Sequence, residues 1–248
     1  KVQVAGNTRS KRYYLVDNSL ADTFGEWLRT GELALFDTLK EAEELGYAPF
    51  NSGPQRVLMS EAEIAAALQA MSGHILADCR DPARLLMLGV RGAGSRLAQR
   101  LAMAIAKDSG VKPEVGEIEI YGSGDDLRRL SPDDPDAGPL QLKQREIILV
   151  DDVIFTGRTV KIALSMIFRS ARPRSVRLAV LIDRGHRQVP VKPNYVGKHI
   201  PSSEWDRVRV RLRELDSGEH DQAVIFSIQP PGEEPRAPRG RSSLSATH

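Results

Sequence analysis

Ile147-Ile148-Leu149-Val150 is an unbroken apolar run that ends in two adjacent carboxylates, Asp151 and Asp152. It continues through Val153-Ile154-Phe155 into Thr156-Gly157-Arg158-Thr159, where a helical pattern begins. The run reads as a buried strand, and a strand followed directly by a helix is half of a βα unit. At the carboxyl end of a parallel strand, paired carboxylates can accept hydrogen bonds from a vicinal diol. Free backbone N–H groups at the next helix start can cradle a phosphate. Gly157 permits close backbone approach, and Thr156 and Thr159 add hydroxyl donors. A ligand with a cis-diol near a phosphate is a ribose 5-phosphate. The plainer alternative is a solvated acidic turn followed by an ordinary helix cap.

The rest of the chain carries the same alternation. Strand-length apolar runs at 85–90, 115–121, 146–150 and 176–182 alternate with helical patterns at 95–106 and 159–168, which predicts an α/β fold on a largely parallel sheet. Ser60 and Glu63 form a capping-box pattern, and Ile64, Leu68, Met71, Ile75 and Leu76 recur at helical spacing until Asp81-Pro82. Residues 121–140 hold three prolines, three glycines and five aspartates, a composition expected of a mobile loop beside the sheet, a lid. Residues 1–55 read as a small helical extension and linker, with Trp27, Leu28, Leu33, Leu35, Phe36 and Leu39 on one or two short helices. Residues 56–228 read as the main domain, and 229–248, rich in Pro, Gly, Arg and Ser, as a disordered tail.

With 248 residues, 41% of them hydrophobic, the chain can bury a sizeable core. No uncharged apolar run of membrane-spanning length occurs and no signal-peptide pattern opens the chain, so the expectation is a soluble, cytoplasmic protein with no membrane partner. The lone Cys79 has no neighbours at metal-ligand spacing and is expected to pack, not to react. His186 and His199 likewise lack partners for a metal site, and no protein-held metal is expected. A net charge of +2 does not by itself imply nucleic acid. In Arg207-Val208-Arg209-Val210-Arg211-Leu212-Arg213, however, a two-residue period places four guanidiniums on one strand face. Such a row can follow phosphates, or be a solvated strand partnered by Asp206, Glu214 and Asp216. Arg169, Arg172, Arg174 and Arg177 make a second basic cluster.

The string Val150-Asp151-Asp152-Val153-Ile154-Phe155-Thr156-Gly157-Arg158-Thr159 resembles the signature with which type I phosphoribosyltransferases bind 5-phosphoribosyl 1-diphosphate. Asp183-Arg184-Gly185-His186-Arg187-Gln188-Val189-Pro190 and Tyr195-Val196-Gly197-Lys198-His199-Ile200-Pro201 are similar to the PyrR family, bifunctional pyrimidine operon attenuators and uracil phosphoribosyltransferases. Gly116-Glu117-Ile118 fits too, and the resemblance covers roughly residues 57 to 228.

It implies a type I phosphoribosyltransferase fold, with a central, mostly parallel sheet flanked by helices and a mobile lid loop. It implies conversion of uracil and phosphoribosyl diphosphate to UMP, with Mg2+ bound through the diphosphate, homo-oligomerisation, and binding of pyrimidine-operon mRNA. By the same resemblance Asp151 and Asp152 hold the ribose hydroxyls, and Val153, Phe155, Thr156, Gly157, Arg158 and Thr159 line the 5-phosphate site. Arg91, Gly92 and Gly94 take the pyrophosphate, and Asp183, Arg184, Gly185 and His186 face the base. Arg207, Arg209, Arg211 and Arg213 are the candidate RNA contacts.

Two departures define other expectations. The turn Arg91-Gly92-Ala93-Gly94 keeps Arg91 and Gly94 but lacks the family's Thr and second Arg. The lid has Ser123-Gly124 before Asp125-Asp126 where the family has Tyr-Arg, leaving Arg128 or Arg129 to substitute. A nucleotide-sensing RNA-binding regulator with weak or absent turnover, or a phosphoribosyltransferase for another base, are the alternatives these leave. A dinucleotide-binding reading of Gly92-Ala93-Gly94 fails at its third glycine position, which is Leu97.

Overall fold

The computed structural model describes residues 4–8, 12–15, 33–36, 41, 44–45, 48–49, 55–120, 126–129, 140–203, 206–215 and 220–227. The chain divides into two compact units, Lys1–Pro54 with Phe226–His248, and Gln55–Ile225.

In the first unit the described segments include four strands: β1 (Val4–Asn7), β2 (Arg12–Leu15), β3 (Leu33–Phe36) and β4 (Ala48–Pro49). They form one sheet in the order β3-β1-β2-β4, with β1 antiparallel to both β2 and β3. The helical expectation for this region is therefore corrected wherever strands are described. Leu33 and Leu35 fit a period of two while Leu33 and Phe36 fit a helical spacing, and pairing with β1 selects the strand. Helical backbone among the described residues here is one turn, in which Leu45 N–H donates to the Glu41 carbonyl at 3.2 Å. Trp27, Leu28 and Leu39 lie outside the described residues, as does the tail from residue 228 onward.

The second unit contains β5 (Arg56–Met59), α1 (Glu61–Asp78), β6 (Leu85–Val90), α2 (Ala93–Ser109), β7 (Glu114–Glu119) and β8 (Asp126–Arg129). It continues with β9 (Glu146–Ile154), α3 (Arg158–Ser170), β10 (Ser175–Asp183), β11 (Tyr195–His199), β12 (Asp206–Arg211) and β13 (Gln222–Ser227). α1 starts at the expected capping box: Glu63 N–H donates to Ser60 Oγ at 3.3 Å, and Ser60 N–H returns a bond to Glu63 Oε2 at 2.8 Å. Lys198 of β11 then reaches the same carboxylate at 3.2 Å.

The main sheet runs β11-β10-β9-β6-β7-β8, with five parallel strands and β8 antiparallel to β7. Its centre is buried on both faces, which explains the continuous apolar runs. Leu85, Met87, Ile148, Val150, Ala179 and Leu181 join one core with residues of α1 and α2. The alternate residues Leu86, Leu88, Ile147, Leu149, Leu178 and Val180 join a second core with Val160, Ala163 and Ile167 of α3. A three-stranded sheet, β12-β13-β5, adds Val208, Val210, Leu212 and Ile225 to the first core. Within the segment read as a loop, Asp126–Arg129 is a strand whose backbone continues the sheet as a hairpin with β7. Residues 121–125 and 130–139 lie outside the described residues.

Candidate functional site

Strand order decides where a ligand can bind. From β6 the chain proceeds outward to β7, whereas from β9 it proceeds the other way, to β10 and β11. The switch point therefore lies between β6 and β9, and the loops leaving their carboxyl ends diverge to open a crevice. Asp151 and Asp152 occupy the end of β9, and Arg91-Gly92-Ala93-Gly94 leaves the end of β6. Gly94 lets them meet: a Cβ there would fall 2.7 Å from the Val150 carbonyl oxygen and 3.3 Å from Asp151 Cα.

The two carboxylates are unequal. Asp151 is buried, at 6% exposure, whereas Asp152 is half-buried. Asp152 N–H donates to Asp151 Oδ1 at 3.0 Å, and Val153 N–H donates to Asp152 Oδ1 at 2.9 Å. Burial, and then the charge of Asp152, hold the Asp151 carboxyl well above the usual carboxylate range.

The next residues make a tight loop into α3. Thr156 is buried, its carbonyl accepts from Gln188 N–H at 3.0 Å, and its hydroxyl accepts from Arg158 N–H at 3.5 Å. Gly157 has φ +84°, and a Cβ on it would meet Val191 Cγ2 at 2.6 Å and Val189 Cγ2 at 2.8 Å. Only glycine fits both the backbone and the space. Gly157 is the N-cap of α3 and has no side chain with which to cap it.

Asp183, Arg184, Gly185 and His186 lie beside that loop, because β10 adjoins β9. Phe155 is central: the Arg184 guanidinium stands 4.0 Å from its ring centroid, and the His186 ring is tilted against it at 5.3 Å. The polar atoms of this group are engaged by the chain. Arg184 is buried and donates to Ser202 Oγ at 3.1 Å, Ser203 O at 2.9 Å and Asp206 O at 2.7 Å. Burial, and then the neighbouring Arg207, push its pKa down to about 10, so it remains a cation at neutral pH. His186 Nε2 lies 2.5 Å from the Ser202 carbonyl, which assigns the proton to that nitrogen. Asp183 Oδ1 accepts from Gly185 N–H at 2.9 Å and from Arg187 at 2.6 Å.

Sequence reasoning missed the part played by residues 187–191. Arg187 donates to the Phe155 and Gly185 carbonyls at 2.7 and 2.8 Å, tying the two loops, while Val189 and Val191 close on Gly157. The available signal was the adjacency of β9 and β10, which makes neighbours of whatever follows each strand.

The arginine strand has the expected period: Val208, Val210 and Leu212 are buried, while Arg207, Arg209 and Arg211 are half-buried and Arg213 is exposed. Arg207 donates to the carbonyl of Asp206, one of the expected partners, at 3.0 Å, and other arginines of the strand reach partners elsewhere. Arg213 pairs with Glu61 at 2.6 Å and Arg211 donates to Gln55 Oε1 at 3.2 Å. Glu214 is taken by Arg100 at 2.7 Å. Of the second cluster, Arg174 and Arg177 each lie 3.6 Å from the buried Glu146. Cys79 packs on the first core, where burial pushes its thiol up. Among the described residues no group of three or more His, Cys, Asp or Glu side chains is placed to hold a metal ion, and no helix is long and apolar enough to cross a membrane.

Residues 61–215 match the family described as Phosphoribosyl transferase domain. The chain is 41% identical to the bifunctional protein PyrR of Brevibacillus brevis over 64% of this chain and 91% of that protein. It is 40% identical to the PyrR protein of Chloroflexus aurantiacus, over 70% of this chain and 96% of the other. Among solved structures it is similar to the hypoxanthine phosphoribosyltransferase of Trypanosoma cruzi, with a TM-score of 0.52 and 20% identity, over 70% of this chain and 97% of that one. That likeness identifies the second unit as a type I phosphoribosyltransferase fold.

Proposed function

We propose, from the premise that the chain belongs to the phosphoribosyltransferases and within them to the PyrR family, that this pentosyltransferase makes UMP and diphosphate from uracil and 5-phosphoribosyl 1-diphosphate. The observation that carries this reading is the acidic pair at the switch point, one acid buried and one half-buried, followed by the positive-φ loop at Gly157. Asp152, the more exposed acid, accepts from the ribose diol, and Asp151 stands behind it. Thr156, Gly157, Arg158 and Thr159 hold the 5-phosphate with hydroxyls and with backbone N–H groups at the positive end of α3. Arg91 and the N–H groups following Gly92 and Gly94 take the diphosphate. Asp183, Arg184, Gly185 and His186 form the wall beside which the base lies.

The chemistry asks little of side chains. The glycosidic carbon carries oxocarbenium character as diphosphate leaves, and the chain's task is to fix the base nitrogen in line and stabilise the departing charge. When bound, magnesium neutralises charge on the diphosphate. The strand ends offer carboxylate oxygens, hard donors that suit this ion. With no three-ligand cluster among the described residues, the diphosphate and water would supply its other ligands.

A second role as a uridine-nucleotide-dependent, RNA-binding regulator of pyrimidine genes is supported by the half-buried arginine face of β12 and by the bifunctional relatives. We place both roles in the cytoplasm of a homo-oligomeric protein. The test is UMP formation from uracil, phosphoribosyl diphosphate and magnesium, with orotate, hypoxanthine and guanine in parallel. Uracil turnover supports the reading. Turnover with another base reassigns the substrate, and UMP binding without turnover leaves a regulator that has lost the reaction.

A further inference from the structure

Arg91 is the single side-chain cation in the turn Arg91-Gly92-Ala93-Gly94. Its backbone N–H donates to the Ile118 carbonyl at 3.0 Å, which fastens the turn to β7. Its guanidinium is already occupied: Nη1 is ion-paired with the carboxylate of Glu119, the last residue of β7. Glu119 is also the residue opposite Asp126 in the hairpin register, so it stands where β7 gives way to the segment expected to be the lid.

We propose that Glu119 is a positioning residue that holds Arg91 while the diphosphate site is empty and yields it to the incoming diphosphate. The inference rests on the reading of Arg91 as the diphosphate cation. An unpaired guanidinium in this turn would sample solvent, and ordering it on binding would oppose affinity. Pairing with Glu119 keeps it at the end of β6. The pair is also exchangeable, because the two side chains are 50% and 25% exposed and water screens their attraction. A diphosphate offers more negative charge and paired oxygens that match the guanidinium fork, so it displaces the carboxylate. On the reverse step Glu119 reclaims Arg91 and promotes release of product diphosphate. Loss of the competing charge outweighs loss of the ordering that Glu119 provides, because the carboxylate must be displaced before diphosphate can bind Arg91, so removing it tightens diphosphate binding and slows its departure.

The experiment is calorimetric titration of inorganic diphosphate, with magnesium, into the full chain and its Glu119→Gln, Arg91→Gln and doubly substituted variants. The expectation is that Glu119→Gln binds about tenfold tighter, equivalent to about 1.4 kcal/mol, and that Arg91→Gln binds more weakly. The double variant should match Arg91→Gln, because Glu119 acts only through Arg91. In turnover, Glu119→Gln should lower kcat and the KM for phosphoribosyl diphosphate together, leaving the KM for uracil unchanged. Glu119→Ala removes the same charge differently and should also tighten binding, so a folding failure of one variant leaves the other decisive. Unchanged or weaker binding by the Glu119 variants overturns the proposal, as does tightening that persists without Arg91. Equal binding by wild type and Arg91→Gln overturns the premise about Arg91 itself, a distinct result.

Discussion

Asp151 is held in a position that a folded chain would avoid if stability alone were selected. Its raised pKa means that the folded protein binds this proton more tightly than the unfolded chain does. Its contribution therefore favours the fold at low pH and turns against it as pH rises above the ordinary value of 3.8. Asp151→Asn should raise the melting temperature at pH 7 while weakening phosphoribosyl diphosphate binding at least tenfold, and the stabilisation should shrink as the pH is lowered toward 4. Thermal melts at both pH values, set beside binding data, check this pairing of gain and loss. Gly157→Ala should do the opposite to stability. Its φ of +84° imposes about 1–2 kcal/mol on any residue with a Cβ, before the contacts with Val189 and Val191 are counted. Urea unfolding should show at least that loss, together with loss of UMP binding. Both residues were legible in the sequence, because paired acids after a buried strand and a glycine before a helix carry chemical meaning by themselves. The engagement of Arg184 and His186 by carbonyls of residues 202–206 was not, since it depends on contacts between segments that no local pattern records.

At the scale of elements, a partly buried ion cluster ties α2 to the segment between β12 and β13. Arg100 pairs with Glu214 and with the buried Asp221, whose carboxylate also accepts from Arg213 N–H at 2.9 Å. Burial alone would raise the Asp221 pKa, but the Arg100 and Arg213 bonds outweigh it and hold it low; the Arg100 bond does the same for Glu214. A lowered carboxylate stabilises the fold above its ordinary pKa, 3.8 and 4.5 for these two, and that stability is lost as pH falls through the folded values. Arg100→Met should cost about 3 kcal/mol at neutral pH by stranding Asp221, and should flatten the acid side of the stability profile between pH 5 and 3 on the order of that loss. A profile as steep as that of the wild type would show the cluster to be inert. On β12, replacing Arg209 and Arg211 by Ala should weaken RNA binding and reduce its salt slope by about 2, one unit per phosphate contact. Titrations over a range of salt concentrations read this directly, and an unchanged slope would remove the strand from the RNA surface. The central strands β6, β7, β9 and β10 and the helices beside them were legible because apolar runs and amphipathic periods differ sharply there. β5, β8, β11 and β13 were not, since each lies outside that buried centre and takes its identity from its neighbours. The same ambiguity made Leu33–Phe36 look helical.

For the whole molecule, the parallel strand order does the organising. Reversal of the strand order between β6 and β9 brings the Arg91 turn, distant in sequence, beside the acidic pair and the Gly157 loop that follows it. The alternation of elements made the fold class readable, and the motif is what points to the proposed ribose phosphate site. The order of the strands, and hence which loops are neighbours, came only from the folded chain. On the proposed function, that adjacency lets one crevice take diol, phosphate and diphosphate at once. Its most direct test is calorimetric binding of 5-phosphoribosyl 1-diphosphate, with magnesium, to the wild type and to the Asp151→Asn, Asp152→Asn double variant. The account predicts one site per chain in the wild type and at least a hundredfold weaker binding in the variant, about 2.7 kcal/mol. Equal affinities in the two proteins would contradict it, and would move the ribose phosphate away from the end of β9.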